Sequence, residues 1–312
     1  MWGLATFSRY LIALVLCSAC ACWGADVVIL SSERSAGYSE AAQAVVAELV
    51  RSGMDRADIA QLVVPDTPGA EVTGLQGGKV WITLGAEALG RALPRDGRPP
   101  IIAALIPRLG YERIVRETVH KSTTGIAALY LDQAFSRQLD LLRLALPDAK
   151  RVGVLWGHES ILQQAGLVAA AQSRGLDIVS STVISPTTLY AGLKAVLGDT
   201  DALLAVADPA VYSGATISNI LLATYRSRVP LVAFSPAYTK AGALMSLHSA
   251  PRQIGGQAAT MARALLQGGA MPMSQYPLEF SVVVNDYVAR SLGLTLDEGV
   301  LSERLRRLEK RP

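Results

Sequence analysis

Past residue 22 this chain of 312 residues has no cysteine: its three, Cys17, Cys20 and Cys22, crowd into an apolar stretch near the start. A body without thiols excludes a disulfide framework, cysteine-ligated zinc and thiol catalysis, so its stability has to come from a packed core. Histidine is as scarce. His120, His158 and His248 stand far apart with no H-x-x-x-H spacing, and the zinc-helix start at His158-Glu159 is never completed. An excess of one charge is missing too: 29 Lys and Arg face 26 Asp and Glu, a net of +3 that falls to +2 without Arg9, too little to argue for nucleic acid. Low-complexity tracts and short-period repeats are absent. The apolar stretch at the start is shorter than the roughly 20 residues that span a bilayer.

That stretch instead has the parts of an export signal: Arg9 as the positive region, Leu11 to Leu16 as the apolar run, then small residues at Cys17, Ser18, Ala19 and Ala21. Cleavage after Ala21 or nearer Ala25 gives an exported body with residues 1–25 as signal peptide. A lipoprotein reading competes, with Cys20 or Cys22 as the acylated residue, although the Leu usual at the third position before the cysteine is missing. Cys17-Ser18-Ala19-Cys20 also spells C-x-x-C, but a redox pair needs a folded domain around it.

The rest alternates short apolar runs with amphipathic segments. Val27 to Leu30 is a β-branched run closed by Ser31-Ser32, and Tyr38 to Val50 repeats apolar residues at helical spacing: a strand, a turn and a helix. The unit recurs at Leu62 to Val64, at Val80 to Leu84 with a helix from Glu87, and at Ile101 to Leu105, stopped by Pro107. Thr124 to Ala128 opens a second series. It continues through the helix Phe135 to Leu146, Val152 to Leu155, the helix Ile161 to Arg174, Ile178 to Val183, a helix over Leu189 to Leu197, Ala202 to Val206, the helix Thr216 to Ser227, Val229 to Ala233 and Ala243 to Leu247. A helix through Gly255-Gly256 to Leu266, a strand over Leu278 to Val284 and a charged tail from Leu301 complete it. Strands without polar alternation are what parallel sheets covered by helices on both faces require. Two consecutive βα series predict two similar α/β lobes, with a ligand site where the carboxyl ends of their strands face a cleft.

Candidates for that site are polar or aromatic residues just after strands. In the first series these are Ser31, Ser32 and Tyr38, then Gly85, Ala86 and Glu87, and Pro107; the turn at Thr83-Leu84-Gly85-Ala86 opens a helix whose free N–H groups suit an anion. In the second they are Trp156, Asp208, Tyr212, Phe234, Ser235 and Tyr238. The rings are suited to sandwich a flat ligand and Asp208 to meet an ammonium group. Each has a plainer alternative: the glycine as an ordinary turn, Asp208-Pro209 as a helix start with the carboxylate as cap, the rings as packing. Enzyme signals are weak. Gly37-Tyr38-Ser39-Glu40-Ala41 imitates a nucleophile elbow but has Ala where the second Gly belongs, and Gly77-Gly78-Lys79 lacks the spacing of a phosphate loop.

The segments T-T-G-I-A-A-L, L-D-L-L-R-L-A-L-P-D-A-K-R-V-G-V-L, V-P-L-V-A-F-S-P-A-Y-T-K-A-G-A-L and I-G-G-Q-A-A-T-M-A resemble ABC-transporter substrate-binding proteins related to tryptophan- and tyrosine-binding members, and Asn285 with Leu292-Gly293-Leu294 echoes their end. The first loop, S-S-E-R-S-A-G-Y, departs from that family's usual one through Glu33 and Arg34. The resemblance implies a type I periplasmic binding protein fold of two Rossmann-like lobes with parallel sheets joined by a hinge. It further implies lobe 1 at 26–125 and 248–272, lobe 2 at 126–247 and 273–312, a periplasmic location and no catalysis. The expected partners are a small organic ligand, such as an amino acid or aromatic carboxylate, and an ABC permease, with no cofactor, metal or nucleic acid. The alternative is the same fold presented to a membrane receptor or histidine kinase as a sensory or scaffolding module; a hydrolase using Ser39 is a third reading.

Overall fold

The computed structural model describes residues 24–67, 70–118 and 124–310. Arg9, the three cysteines and His120 lie outside the described residues. Strands β1 (Val27–Ser31), β2 (Ile59–Val63), β3 (Val80–Leu84), β4 (Ile101–Ile106) and β5 (Ile126–Tyr130) form one wholly parallel sheet in the order β2-β1-β3-β4-β5. Their period of two sends alternate residues to opposite faces. Val27 and Ile29 enter one core with helix α1 (Ala36–Arg51), while Val28 and Leu30 enter another with α2 (Ala86–Ala92) and α3 (Arg108–Glu117).

The second lobe repeats this plan. In it stand α4 (Phe135–Ala145), β6 (Arg151–Trp156), α5 (Gln164–Gln172), β7 (Asp177–Thr182), α6 (Pro186–Leu197), β8 (Ala202–Leu204), α7 (Ile217–Ser227), β9 (Leu231–Ala233), α8 (Pro236–Ala241) and β10 (Met245–His248). Helix α9 (Pro251–Leu266) returns to the first sheet, and β11 (Ser281–Val284), α10 (Asp286–Ser291) and α11 (Glu298–Glu309) finish the second lobe. The second sheet runs β11-β10-β9-β8-β6-β7, so its parallel part has the same order as the first sheet, counted from β6. In α9, a Cβ at Gly255 would lie 2.3 Å from the carbonyl oxygen of Ala41, so only glycine lets α9 approach α1 this closely.

The structure corrects four sequence expectations. The strand beginning near Thr124 pairs with β4, so it closes the first sheet rather than opening the second, and the lobe boundary at 125 falls one strand early. The sheets are not both purely parallel, because β11 pairs antiparallel with β10. Pro107 stops β4 as expected, but it also stands at the N-cap of α3, a helix the sequence pattern did not announce, where a fixed φ and a missing N–H suit a helix start. Helices α8 and α10, with six residues each, are too short to show periodicity.

The chain crosses between lobes three times, after β5, between β10 and α9, and between α9 and β11. Side chains tie these crossings together. Gln133 Nε2 donates to Ser249 Oγ (2.8 Å), and Ser249 Oγ donates to the Glu279 carbonyl (2.6 Å). Arg137, itself buried, donates to Gln133 Oε1 and the Pro277 carbonyl, both at 2.7 Å, pairs with Glu309 of α11, and lies 4.7 Å over the Phe280 ring. Polar side chains buried in such a network must be satisfied together, which fixes how the crossings sit against one another.

Candidate functional site

In a sheet of order 2-1-3-4-5 the connections after strands 1 and 3 leave in opposite directions, opening a crevice at their carboxyl ends. In the first lobe that crevice lies between β1 and β3, and there the sequence candidates Ser32, Tyr38 and Gly85 meet. Ser32 Oγ donates to the Leu84 carbonyl (2.9 Å) and accepts from the Ala88 N–H (3.0 Å), so one hydroxyl joins the β1 loop to the first turn of α2. Gly85 has φ of 92°, and a Cβ on it would lie 2.5 Å from Ser32 Oγ and 2.6 Å from the Tyr38 hydroxyl. The Tyr38 phenol is pushed above its ordinary pKa, first by burial and then by Glu33, against a hydrogen bond with Ser32. Ser31 is buried at the strand end, Ala86 is half-buried, Glu87 pairs with Arg91 on the surface, and Pro107 is exposed. Ser39 lies exposed in the first turn of α1, and no histidine hydrogen-bonds to it among the described residues.

The equivalent crevice of the second lobe lies between β6 and β8. Asp208 fills it. Its carboxylate is 2% exposed and accepts from the Ser160 N–H at Oδ2 and the Ala210 N–H at Oδ1, both at 2.9 Å. Ser160 Oγ in turn accepts from the Gly157 N–H (2.9 Å), and a Cβ on Gly157 would stand 2.3 Å from the Asp208 carboxyl. Asp208 thus staples the β6 loop to the β8 loop and satisfies two backbone N–H groups. Trp156 is fully buried and packs in the core with the α4 and α5 side chains, its Nε1 without a hydrogen-bond partner among the described residues. Tyr212 is buried as well, its phenol pushed up by desolvation, and it starts an edge-to-face series through Phe234 (6.0 Å) to Tyr238 (5.2 Å). Ser235 caps α8 through the Ala237 N–H.

Of these second-lobe candidates, Phe234 reaches a cavity between the lobes. That cavity is lined by Ala205–Ala207 and Phe234 at the ends of β8 and β9, by Gln138 of α4 and Gln163, and by Asp132 and Tyr276 from the crossings. Sequence reading missed Asp132 and Tyr276. The first follows a strand, as the candidate rule demands, but that strand had been ended at Ala128 instead of Tyr130. The second sits in an irregular segment that carries no periodic signal. Tyr276 stacks edge-on against Tyr130 (5.2 Å), which meets Tyr111 (5.9 Å), and its hydroxyl accepts from Arg108 Nη1 (3.1 Å). Across the opening, Arg113 of α3 pairs with Glu159 of the β6 loop at 3.0 Å, an ion pair between lobes.

A family model described as ABC transporter substrate binding protein matches residues 83–306. Solved structures share the fold. A ligand-free, open substrate-binding protein with adhesive properties from Clostridium difficile superposes with a TM-score of 0.70 at 16% identity, over 87% of this chain and 95% of its own. An ABC domain in complex with L-Trp from Streptococcus pneumonia gives 0.62 at 17% identity, over 90% and 98%. A conserved domain protein from Vibrio cholerae gives 0.60 at 18%, over 89% and 97%. No curated protein sequence matches. Among the described residues no helix is long and apolar enough to cross a membrane. The family match spans more than two thirds of the sequence and both lobes: this chain belongs to the ABC transporter substrate-binding proteins, the non-catalytic, solute-binding components of uptake systems.

Proposed function

We propose that this protein binds an amino acid or small aromatic carboxylate between its lobes, that the ligand touches both, and that the lobes close on it by bending at the three crossings. The observation that carries this reading is the place where the crossings meet the second lobe's strand ends, Asp132 and Tyr276 facing Phe234 and Ala205–Ala207 around a cavity of about 20 Å³, room for one water here, so the lobes have to part to admit the ligand. The Ser32, Tyr38 and Gly85 cluster supplies hydroxyls at the first-lobe crevice. Trp156, Asp208 and Tyr212 hold the second-lobe loops from behind, and Phe234 and Tyr238 present ring surface. The complex of a structural relative with L-Trp supports an aromatic amino acid as the first probe. Only a ligand with higher affinity for the closed form shifts the open–closed equilibrium, and the closed form is what a permease partner reads. Export by the leader, with cleavage near Ala21 to Ala25 or lipid attachment at Cys20 or Cys22, places the protein in the periplasm.

Residues 24–312, which hold no cysteine, are screened by thermal shift against amino acids, aromatic acids, peptides, sugars and nucleosides. A ligand at about 100 times its Kd adds roughly 2.7 kcal/mol, several degrees for a protein of this size. Aromatic amino acids or carboxylates are expected to give the largest shift. A shift from sugars or nucleosides alone overturns the ligand class, and none from the whole panel favours a sensory or scaffolding role.

A further inference from the structure

We infer that the second lobe carries a second binding site, away from the cleft, for a small organic anion: a single apolar ring bearing a carboxylate. The inference is independent of the cleft ligand. A cavity of about 280 Å³ opens where the end of α7, the start of β9 and the end of α10 meet. It lies at the amino end of β9, whereas Phe234, the cleft residue, follows the carboxyl end. Its floor is apolar: Val229, Pro230 and Leu231 are buried, and Val288 and Leu292 pack against the second-lobe core. An apolar cavity of about 150 Å³ holds benzene, so this one has room for a ring and its acid group. Charge sets the class of ligand. Arg226 and Arg228 line the cavity and no Asp or Glu does; among the described residues neither guanidinium has a hydrogen bond, an ion pair or a ring contact. Helices α7 and α10 both end here, and each end acts as roughly half a negative charge. Two guanidiniums exceed two such ends, so the cavity stays positive. Arg228 also stands at the C-cap of α7 in the left-handed region, with φ of 55°. Glycine takes that position without steric cost, and strain held on another residue clusters where a side chain has a task. A guanidinium fork matches the two oxygens of a carboxylate, and the exposed Tyr225 adds ring surface at the rim.

Complementing the α7 dipole is the competing role for the two arginines, and probes that differ in charge separate it from binding. Benzoate and phenylacetate are titrated into nitrogen-15-labelled protein, with benzamide as the uncharged ring and acetate as the acid without a ring, and backbone amide shifts are followed by NMR. The two ring acids are expected to move the amides of Val229, Leu231, Val288 and Leu292. Benzamide and acetate are expected to bind roughly tenfold more weakly or worse, the scale of one charge-assisted hydrogen bond or one buried ring. Arg226→Gln, an exposed change, is expected to weaken benzoate roughly tenfold. Arg228→Gly is expected to lose as much affinity and yet to melt no lower than the parent, because it relieves the strained φ. Loss of affinity together with a lower melting temperature reduces Arg228 to a cap of α7 and overturns its assignment. Unchanged benzoate binding in both variants, benzamide as tight as benzoate, or no shift with any of the four probes overturns the second site and leaves the cleft reading standing. Shifts confined to the surroundings of Asp132 and Phe234 place the acid between the lobes and overturn the second site as well.

Discussion

Replacing Trp156 by alanine is expected to destabilise the second lobe by about 3–5 kcal/mol, the range for emptying an aromatic site in a core. The indole is fully buried on the last residue of β6, among Leu139, Leu142, Leu167 and Val206. Its Nε1 donates to nothing among the described residues, so Trp156→Phe removes an unsatisfied polar atom together with part of the volume and is expected to cost well under half as much. Urea unfolding followed by circular dichroism reads both variants. Ligand affinity of the folded Trp156→Phe protein is expected to stay within a few-fold of the parent, because the ring packs behind the cleft. A large loss of affinity at unchanged stability would place the ring in the ligand site instead.

Asp208→Ala is expected to rank next. It strips the Ser160 and Ala210 N–H groups of their acceptor in a site almost closed to water, at about 1–3 kcal/mol for each orphaned donor. Asparagine retains one acceptor oxygen and restores part of the loss. Gly157→Ala damages the same staple from the other side, its Cβ meeting the carboxylate at 2.3 Å. The two changes are therefore coupled: removing the carboxylate makes room for the methyl, and the double variant Gly157→Ala/Asp208→Ala is expected to be more stable than the sum of the single losses implies. Additive losses in the urea series would show that the two residues do not share a site.

The contrast between Asp208 and Asp132 shows how far the sequence could be read. Strands buried on both faces announce themselves: Val80 to Leu84 is read to the residue, and α1 and α9 follow from their apolar spacing. Pairing partners do not. Nothing local to Ile126–Tyr130 says that it hydrogen-bonds to β4 rather than to a strand that follows, and nothing in Ser281–Val284 says that it runs antiparallel. Likewise the rule that ligands touch residues just after strands gathers Ser32, Tyr38 and Gly85 into one place, because they follow the adjacent strands β1 and β3, Tyr38 in the first turn of α1. It cannot tell an acid turned inward to cap Ser160 from one that lines a cavity. That difference depends on how the β6 and β8 loops fold over each other and on where the crossings pass, both long-range matters. The partner of Arg137 is equally out of local reach: Glu309, which pairs with it, comes some 170 residues later.

Closure on a bridging ligand is tested most directly by the distance between the lobes. The chain beyond residue 22 has no native thiol, so Asp66→Cys and Ile184→Cys, exposed positions after the edge strands β2 and β7, give one spin-label pair across the opening. Double electron–electron resonance is recorded without ligand and with saturating L-tryptophan. A ligand that holds both lobes shortens the mean label distance and narrows its distribution; a distribution that does not change under saturating L-tryptophan contradicts the account.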